Sequence, residues 1–136
     1  LWGGRHGMYA ARFGIERALE MNRFKTALRA GCVVCGGSDS PVTKFSALLG
    51  IHSLVNHHVP AERLTLDEAL RAYTSAAAKL SFDEERRGVL KPGMDADLVV
   101  LERALDAVEP SALKDVRVAA TVVGGELRHV ADSWLR

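Results

Sequence analysis

The sequence predicts an α/β fold for residues 1–87 and an all-β segment for residues 88–136. The first region carries amphipathic helical patterns that one short apolar run, residues 32–36, interrupts. The second carries alternating apolar strand patterns over residues 96–101, 116–123 and 126–130, with Gly124-Gly125 as a hairpin signal. The pattern changes at residues 88–93, where Pro92-Gly93 is typical of a type II turn. The boundary between the two regions is therefore expected near residue 88.

Helical periodicity predicts three helical segments in the first region. Residues 10–30 form the first, with Asn22 expected to divide it and Gly31 to end it as a C-cap glycine. Residues 45–58 present an apolar helical face. Residues 65–82 form the third, in which Thr65 is the predicted N-cap and Glu68 completes a capping box.

The apolar run of residues 32–36 is predicted to be a buried strand flanked by helices. It ends in the sequence Gly-Gly-Ser-Asp-Ser-Pro-Val, which places Asp39 just after the strand. An aspartate beside serine and proline most often caps the following turn or helix. The carboxyl ends of parallel strands also carry catalytic groups, so Asp39 is in addition a candidate metal ligand or general base. Both interpretations stay open on the residues alone.

The composition restricts the classes of partner. The 136 residues are 48% hydrophobic and 26% charged, as in soluble globular proteins. The net charge of +1 gives no reason to expect nucleic acid or an acidic membrane surface as a partner. No apolar run approaches the roughly 20 residues that span a bilayer. We therefore expect no nucleic-acid partner and no membrane partner.

Two pairs of side chains have alternative interpretations. Cys32 and Cys35 form a Cys-x-x-Cys, but they fall in the predicted strand and not at a helix N-terminus, where a redox thiolate is stabilised. We interpret both as small buried apolar residues in a reducing, cytoplasmic compartment, with a thiol–disulfide module as the alternative. His57 and His58 are expected to be a solvated pair at a helix end.

Five segments of the chain form a distinctive set: residues 36–42, 48–52, 63–74, 88–101 and 121–125. The most specific of them, within residues 88–101, reads Gly-x-Leu-x-Pro-Gly-x-x-Ala-Asp-Leu-Val-Val-Leu. Together they resemble the C-terminal third of metal-dependent amidohydrolases, and most closely the YtcJ-like branch of amidohydrolase family 3. The resemblance implies the last one or two β/α units of a (β/α)₈ TIM barrel, followed by part of a small composite β-sandwich. A full barrel takes about 250 residues, so the chain is expected to be a fragment of a larger hydrolase.

The resemblance also implies a chemistry and a set of site residues. The expected reaction is hydrolysis of a carbon–nitrogen bond other than a peptide bond, in a small amide or cyclic amide, with a divalent metal, zinc. Asp39 would be the catalytic residue and a metal ligand, and Gly37, Ser38 and Ser40 would bind substrate. The family's other metal ligands are absent from this sequence. Asp97, before a strand, would be structural and bond turn amides.

An alternative from another class is a non-catalytic folded fragment or association module. A barrel fragment leaves strand edges and an apolar helix face uncovered, so such a module would oligomerise through them. A homo-oligomer is therefore expected.

Overall fold

Six short helices precede a three-stranded sheet in the computed structural model, which describes residues 2–134. Leu1 and residues 135–136, the ends of the two predicted regions, lie outside the described part. The helices are α1 (Met8–Phe13), α2 (Ile15–Leu19), α3 (Phe24–Arg29), α4 (Ala47–Val55), α5 (Leu66–Tyr73) and α6 (Ser75–Leu80). The strands are β1 (Leu98–Leu101), β2 (Val118–Val123) and β3 (Glu126–Val130). Short 3-10 helices lie at Pro60–Glu62, Leu105–Ala107, Pro110–Asp115 and Asp132–Trp134.

The sheet is antiparallel, in the order β1-β2-β3. Val123 pairs with Glu126 across the predicted hairpin, and the two residues between them have positive φ angles, 60° at Gly124 and 80° at Gly125. A two-residue turn with two positive φ angles is a type I′ turn, whose twist matches that of the strands. The predicted hairpin is confirmed, with β3 covering residues 126–130 as expected.

The predicted helix signals are confirmed at the ends of two helices. Thr65 caps α5 in a capping box with Glu68. Gly31, at φ 84°, ends α3 in a Schellman motif, in which the Gly31 amide donates to Leu28 and the Cys32 amide to Ala27. Local sequence chemistry thus predicts where α5 begins and where α3 ends.

The predicted helical lengths are too long. Residues 65–82 form two helices, because Thr74 has φ −129° and ψ −96° and so interrupts the helical backbone. Residues 10–30 form parts of three helices. Asn22, at φ 59°, divides them as expected, and Gly14, at φ 85°, adds a second break. Side-chain periodicity continues across Gly14 and Thr74, which is why it does not reveal the breaks at these two residues.

The predicted buried strand at residues 32–36 is wrong. Residues 32–38 have no regular secondary structure and pair with no strand of the described chain, and Cys32 and Val33 are exposed. The amide of Gly36 donates to the carbonyl of Ala72, 2.9 Å away, which is a bond to the end of a helix and not a ladder. A strand needs a neighbouring strand for its alternate hydrogen bonds, and residues 2–87 provide none.

One apolar core lies between α4 and α5. Its buried residues are Ile51, Leu54, Leu64, Ala69 and Ala72, with Phe24, Leu28 and Leu48 packed against them. The last turns of α4 also contact the 3-10 helix Pro110–Asp115, where the Asn56 side chain donates to the Pro110 carbonyl at 2.8 Å. The helical region and the sheet region are therefore joined by α4.

The expectation that His57 and His58 form a solvated pair is wrong, since His57 is buried and His58 is half-buried. Only 6% of His57 is exposed, because the Phe24 ring meets its edge and the His58 ring lies 4.3 Å from it, centroid to centroid. The Nδ1 atom of His57 accepts from the Val59 amide at 3.2 Å, and burial lowers the pKa of His57 below its ordinary value. The His57 imidazole is therefore packed inside the helical region, where burial disfavours its charged form.

No helix within residues 2–134 has the length and apolar content needed to cross a bilayer.

Candidate functional site

The loop between α3 and α4 holds the predicted site and is anchored at several points. At its base, the Gly36 amide donates to Ala72 at the end of α5. Further along, the Thr43 hydroxyl donates to the Ser38 carbonyl, and the Val42 amide donates to the Asp39 carbonyl at 2.8 Å. The loop therefore forms a defined turn around Asp39.

Asp39 is exposed at the first position of this turn, with a φ of 51°. Aspartate tolerates this left-handed conformation better than most residues. Its carboxylate takes part in none of the hydrogen bonds and ion pairs found among residues 2–134. The N-cap of α4 is Ser46, whose hydroxyl accepts from the Leu49 amide. The interpretation of Asp39 as a helix cap is therefore wrong, and its carboxylate is left for another use.

The three predicted substrate-binding residues lie in the same turn as Asp39. Gly37 and Ser40 are exposed, whereas Ser38 is half-buried. Their common position follows from sequence adjacency. Whether they contact a substrate stays a prediction.

Tyr73 lies beneath the loop and was not predicted as part of the site. A methyl group added at Gly36 would overlap Cε2 and Cζ of the Tyr73 ring, and one added at Gly50 would overlap the ring's hydroxyl oxygen. The ring thus fits between the loop and α4. Burial raises the pKa of Tyr73, so the phenol is neutral at physiological pH. The available sequence signal was the glycine at position 50, inside an otherwise favourable helical pattern.

Asp97 has the structural role that the resemblance implies. Its Oδ1 atom accepts from the Gly124 amide of the hairpin turn at 2.7 Å. Arg87 lies 3.9 Å from Asp97 and 3.4 Å from Asp95, and Arg86 lies 3.1 Å from Asp95. These contacts tie the segment after α6 to the start of β1.

The two cysteines lack the placement that is typical of a redox pair. Both are free, and the Cys35 thiol donates to the Ala76 carbonyl at 3.1 Å. Cys32 follows the C-terminal end of α3 and does not lie at a helix N-terminus, the usual position of the first cysteine of a redox pair. The prediction that both are buried is wrong: Cys35 is half-buried, and Cys32 is exposed because no strand of the described chain covers this segment.

Comparison with known proteins places the chain among amidohydrolases. A sequence profile described as "Amidohydrolase family" matches residues 3–129. The putative amidohydrolase YtcJ of Bacillus subtilis is 32% identical over 126 residues, covering 85% of this chain and 24% of that protein. The N-substituted formamide deformylase of Arthrobacter pascens is 30% identical over 135 residues, covering 94% of this chain and 24% of that protein.

A solved structure has the same fold. The amidohydrolase from Thermotoga maritima superposes with a TM-score of 0.66 at 20% identity, over 88% of this chain and 28% of that one. The chain thus spans about a quarter of the length of the curated relatives that it matches. The described residues form a mixed α/β fold with a small antiparallel sheet, and the profile covers both regions. The chain belongs to the amidohydrolase family, in its family 3, YtcJ-like branch.

Proposed function

We propose that this chain supplies Asp39 to a metal-dependent hydrolase that cleaves carbon–nitrogen bonds other than peptide bonds. The observation that carries the proposal is the carboxylate of Asp39, which is exposed on an anchored turn and unused by the fold of residues 2–134. Membership of the amidohydrolase family supports hydrolysis, and the similarity to a formamide deformylase supports a small amide as substrate.

The donor chemistry of Asp39 fits one ligand of a divalent metal site, with zinc as the proposed ion. Carboxylate oxygens are accepted zinc ligands, and a catalytic zinc takes about three protein ligands. In the part of the chain that the structure describes, no group of three histidine, cysteine, aspartate or glutamate side chains could hold a metal ion. The other ligands would therefore come from residues outside this chain, and the isolated chain is expected to be inactive.

Asp39 would act first as a base and then as an acid. A bound divalent metal lowers the pKa of water, which makes water a nucleophile near neutral pH. The Asp39 carboxylate would accept the proton as the water oxygen bonds to the amide carbon. It would return that proton to the nitrogen as the carbon–nitrogen bond breaks, so that an acid and an amine are released. Gly37, Ser38 and Ser40 would line the substrate side of the same turn.

The wider architecture is part of the proposal. Residues 2–87 would complete a (β/α)₈ barrel, and residues 88–134 would add strands to a composite β-sandwich. The similarity in fold to the Thermotoga protein supports this assignment. In such a barrel, residues 32–36 would find a neighbouring strand from outside this chain. The cytoplasmic location and the absence of nucleic-acid and membrane partners stay predictions from composition.

The test is Asp39→Asn in the complete enzyme that contains this chain. Asparagine keeps the shape and tolerates the positive φ angle, but it is a poor proton acceptor. We expect turnover of an N-substituted formamide to fall by roughly 10²–10⁴, the usual contribution of a general base. The melting temperature should stay within about 2 °C of the parent, since surface changes that break no contact are nearly neutral.

Asp97→Asn is the matched control. It also replaces an aspartate outside the helices and strands with its amide, but it keeps an oxygen that can accept from Gly124. Turnover should stay close to that of the parent. Near-normal turnover in Asp39→Asn would remove the catalytic assignment.

The alternative function is association into a homo-oligomer without catalysis. The observation that favours it is a set of large apolar side chains exposed on the helical region, with Phe45 at 89% and Phe82 at 91% exposure. A second copy of this chain would cover them. Sedimentation of the isolated chain should then show a dimer or larger species that dissociates on dilution. A monomer at every concentration would contradict this alternative.

A further inference from the structure

We propose that Tyr73 is a positioning residue that sets the place of Asp39, an inference that rests on the proposed function. The Tyr73 ring fills the space between the base of the Asp39 loop and α4, in contact with the backbone of Gly36 on one side and Gly50 on the other. Asp39 follows Gly36 by three residues. Movement of the ring would therefore move the segment that carries the carboxylate.

The two glycines are explained by this ring and by nothing in their own backbone. Neither Gly36 nor Gly50 has a positive φ angle, so any residue could adopt their conformations. Gly50 lies inside α4, where glycine is less favourable than alanine. At both positions, however, an added methyl group would overlap Tyr73. The chain thus has glycine at two positions where the backbone would allow other residues. At both, the Tyr73 ring fills the space that a side chain would need.

A backbone hydrogen bond extends the contact to the loop. The Gly36 amide donates to the carbonyl of Ala72, the residue before Tyr73. The end of α5 therefore holds the loop base twice, by this bond and by the ring. Beyond that base, the Ser38 carbonyl is fixed by Thr43 and the Asp39 carbonyl by Val42. These contacts leave the Asp39 loop few ways to move relative to Tyr73.

The experiment is a double-mutant cycle in the complete enzyme, with an N-substituted formamide as the substrate. Gly36→Ala and Tyr73→Leu are each made in the parent and in Asp39→Asn. Alone, each should lower kcat by roughly 10- to 100-fold, since a misplacement of a catalytic group by about 1 Å lowers the rate by about that factor. KM should change by less than about threefold. In the Asp39→Asn background each should add less than about twofold, because coupled sites are not additive.

Rescue and control variants separate positioning from damage to the fold. Tyr73→Phe keeps the ring and should retain kcat within about threefold, whereas Tyr73→Leu removes the ring. Gly50→Ala pushes on the ring from the other side. It should lower kcat although alanine favours the helix. Ser53→Ala, on the exposed side of α4, should leave kcat unchanged. Amide exchange should become faster at Gly36 and Val42 in Tyr73→Leu, but not in the sheet.

The outcomes distinguish this inference from the proposed function. If Asp39→Asn lowers turnover but Gly36→Ala and Gly50→Ala do not, Tyr73 does not position Asp39 and the proposed function stands. If the losses multiply in the Asp39→Asn background, the variants damage the fold in general and the inference is overturned. If Asp39→Asn is fully active, the proposed function fails, and this inference fails with it.

Discussion

The loop around Asp39 and the turn beside Asp97 differ in how the protein uses an aspartate. In the sheet region, the Asp97 carboxylate accepts from the Gly124 amide and lies near Arg87. In the helical region, the loop is held by backbone and hydroxyl groups, and the Asp39 carboxylate takes no part among the described residues. Similar side chains on short connections therefore have different physical roles.

This difference shows where an acidic group is available for chemistry. A carboxylate that accepts a turn amide and faces an arginine stabilises its surroundings, and using it in a reaction would weaken that support. A carboxylate on an anchored turn, with no contact of its own, can bind a ligand without cost to the fold. Such separation between the groups that hold a site and the group that reacts is typical of rigid active sites.

The largest expected effect on stability is that of removing the Asp97 carboxylate, and removal of the Asp39 carboxylate is the comparison. Asp97→Ala deletes the acceptor for Gly124, and hydrogen bonds to charged groups contribute about 1.5–3 kcal/mol. We expect the free energy of unfolding to fall by about 2 kcal/mol. Asp39→Ala should change it by less than about 0.5 kcal/mol, as surface substitutions do. Chemical denaturation measures both, and equal losses would contradict the comparison.

The same comparison explains which features the sequence could predict. The β2–β3 hairpin was predicted closely because both strands and their turn are adjacent in the chain. The capping box at Thr65 and the end of α3 at Gly31 were predicted for the same reason, since their partners lie within a few residues. The prediction of a strand at residues 32–36 is wrong, because strand formation depends on a neighbouring strand that local sequence does not specify.

The site divides in the same way. Asp39 could be found from its turn and from the family resemblance, because the motif is contiguous. Tyr73 could not be found in this way, because it contacts Gly36 and Gly50, which lie 37 and 23 residues before it in the sequence. The burial of His57 was also missed, because the covering Phe24 lies in a separate helix. Contacts between distant segments are what periodicity and spacing leave undetermined.

A second, smaller effect should appear as pH falls, and it belongs to the helical region alone. Burial lowers the pKa of His57 below 6.5, and the nearby His58 and Arg63 act in the same direction, against the Val59 backbone and Glu62. The unfolded chain therefore binds a proton at a higher pH than the folded chain does. Stability should decrease as the pH falls below about 6.5, and this loss should end below the folded pKa.

Melting temperatures at about pH 7.5 and about pH 5.5 measure this effect. His57→Asn is the control, because asparagine offers an acceptor to the Val59 amide but does not titrate. The variant should lose less stability between the two pH values than the parent. Glu62 does not interfere, since hydrogen bonds from Thr26 lower the pKa of its carboxyl below its ordinary 4.5. An equal loss in parent and variant would show that His57 is not the responsible group.

The smallest expected effect concerns how the two connections accommodate a positive φ angle. Asp39 adopts 51° with a side chain present, whereas Gly124 adopts 60° without one. Gly124→Asn should therefore be tolerated: asparagine accepts this conformation, a Cβ atom there would meet nothing within 4 Å, and the amide that bonds Asp97 is kept. Replacing glycine at a compatible site reduces the entropy of the unfolded chain, so we expect a gain of about 0.5 kcal/mol. Gly124→Val should instead lose about 1–2 kcal/mol, because a β-branched residue does not tolerate the left-handed region. Thermal denaturation should give the highest melting temperature for Gly124→Asn, a lower one for the parent and the lowest for Gly124→Val. A valine variant as stable as the parent would show that the turn has changed type.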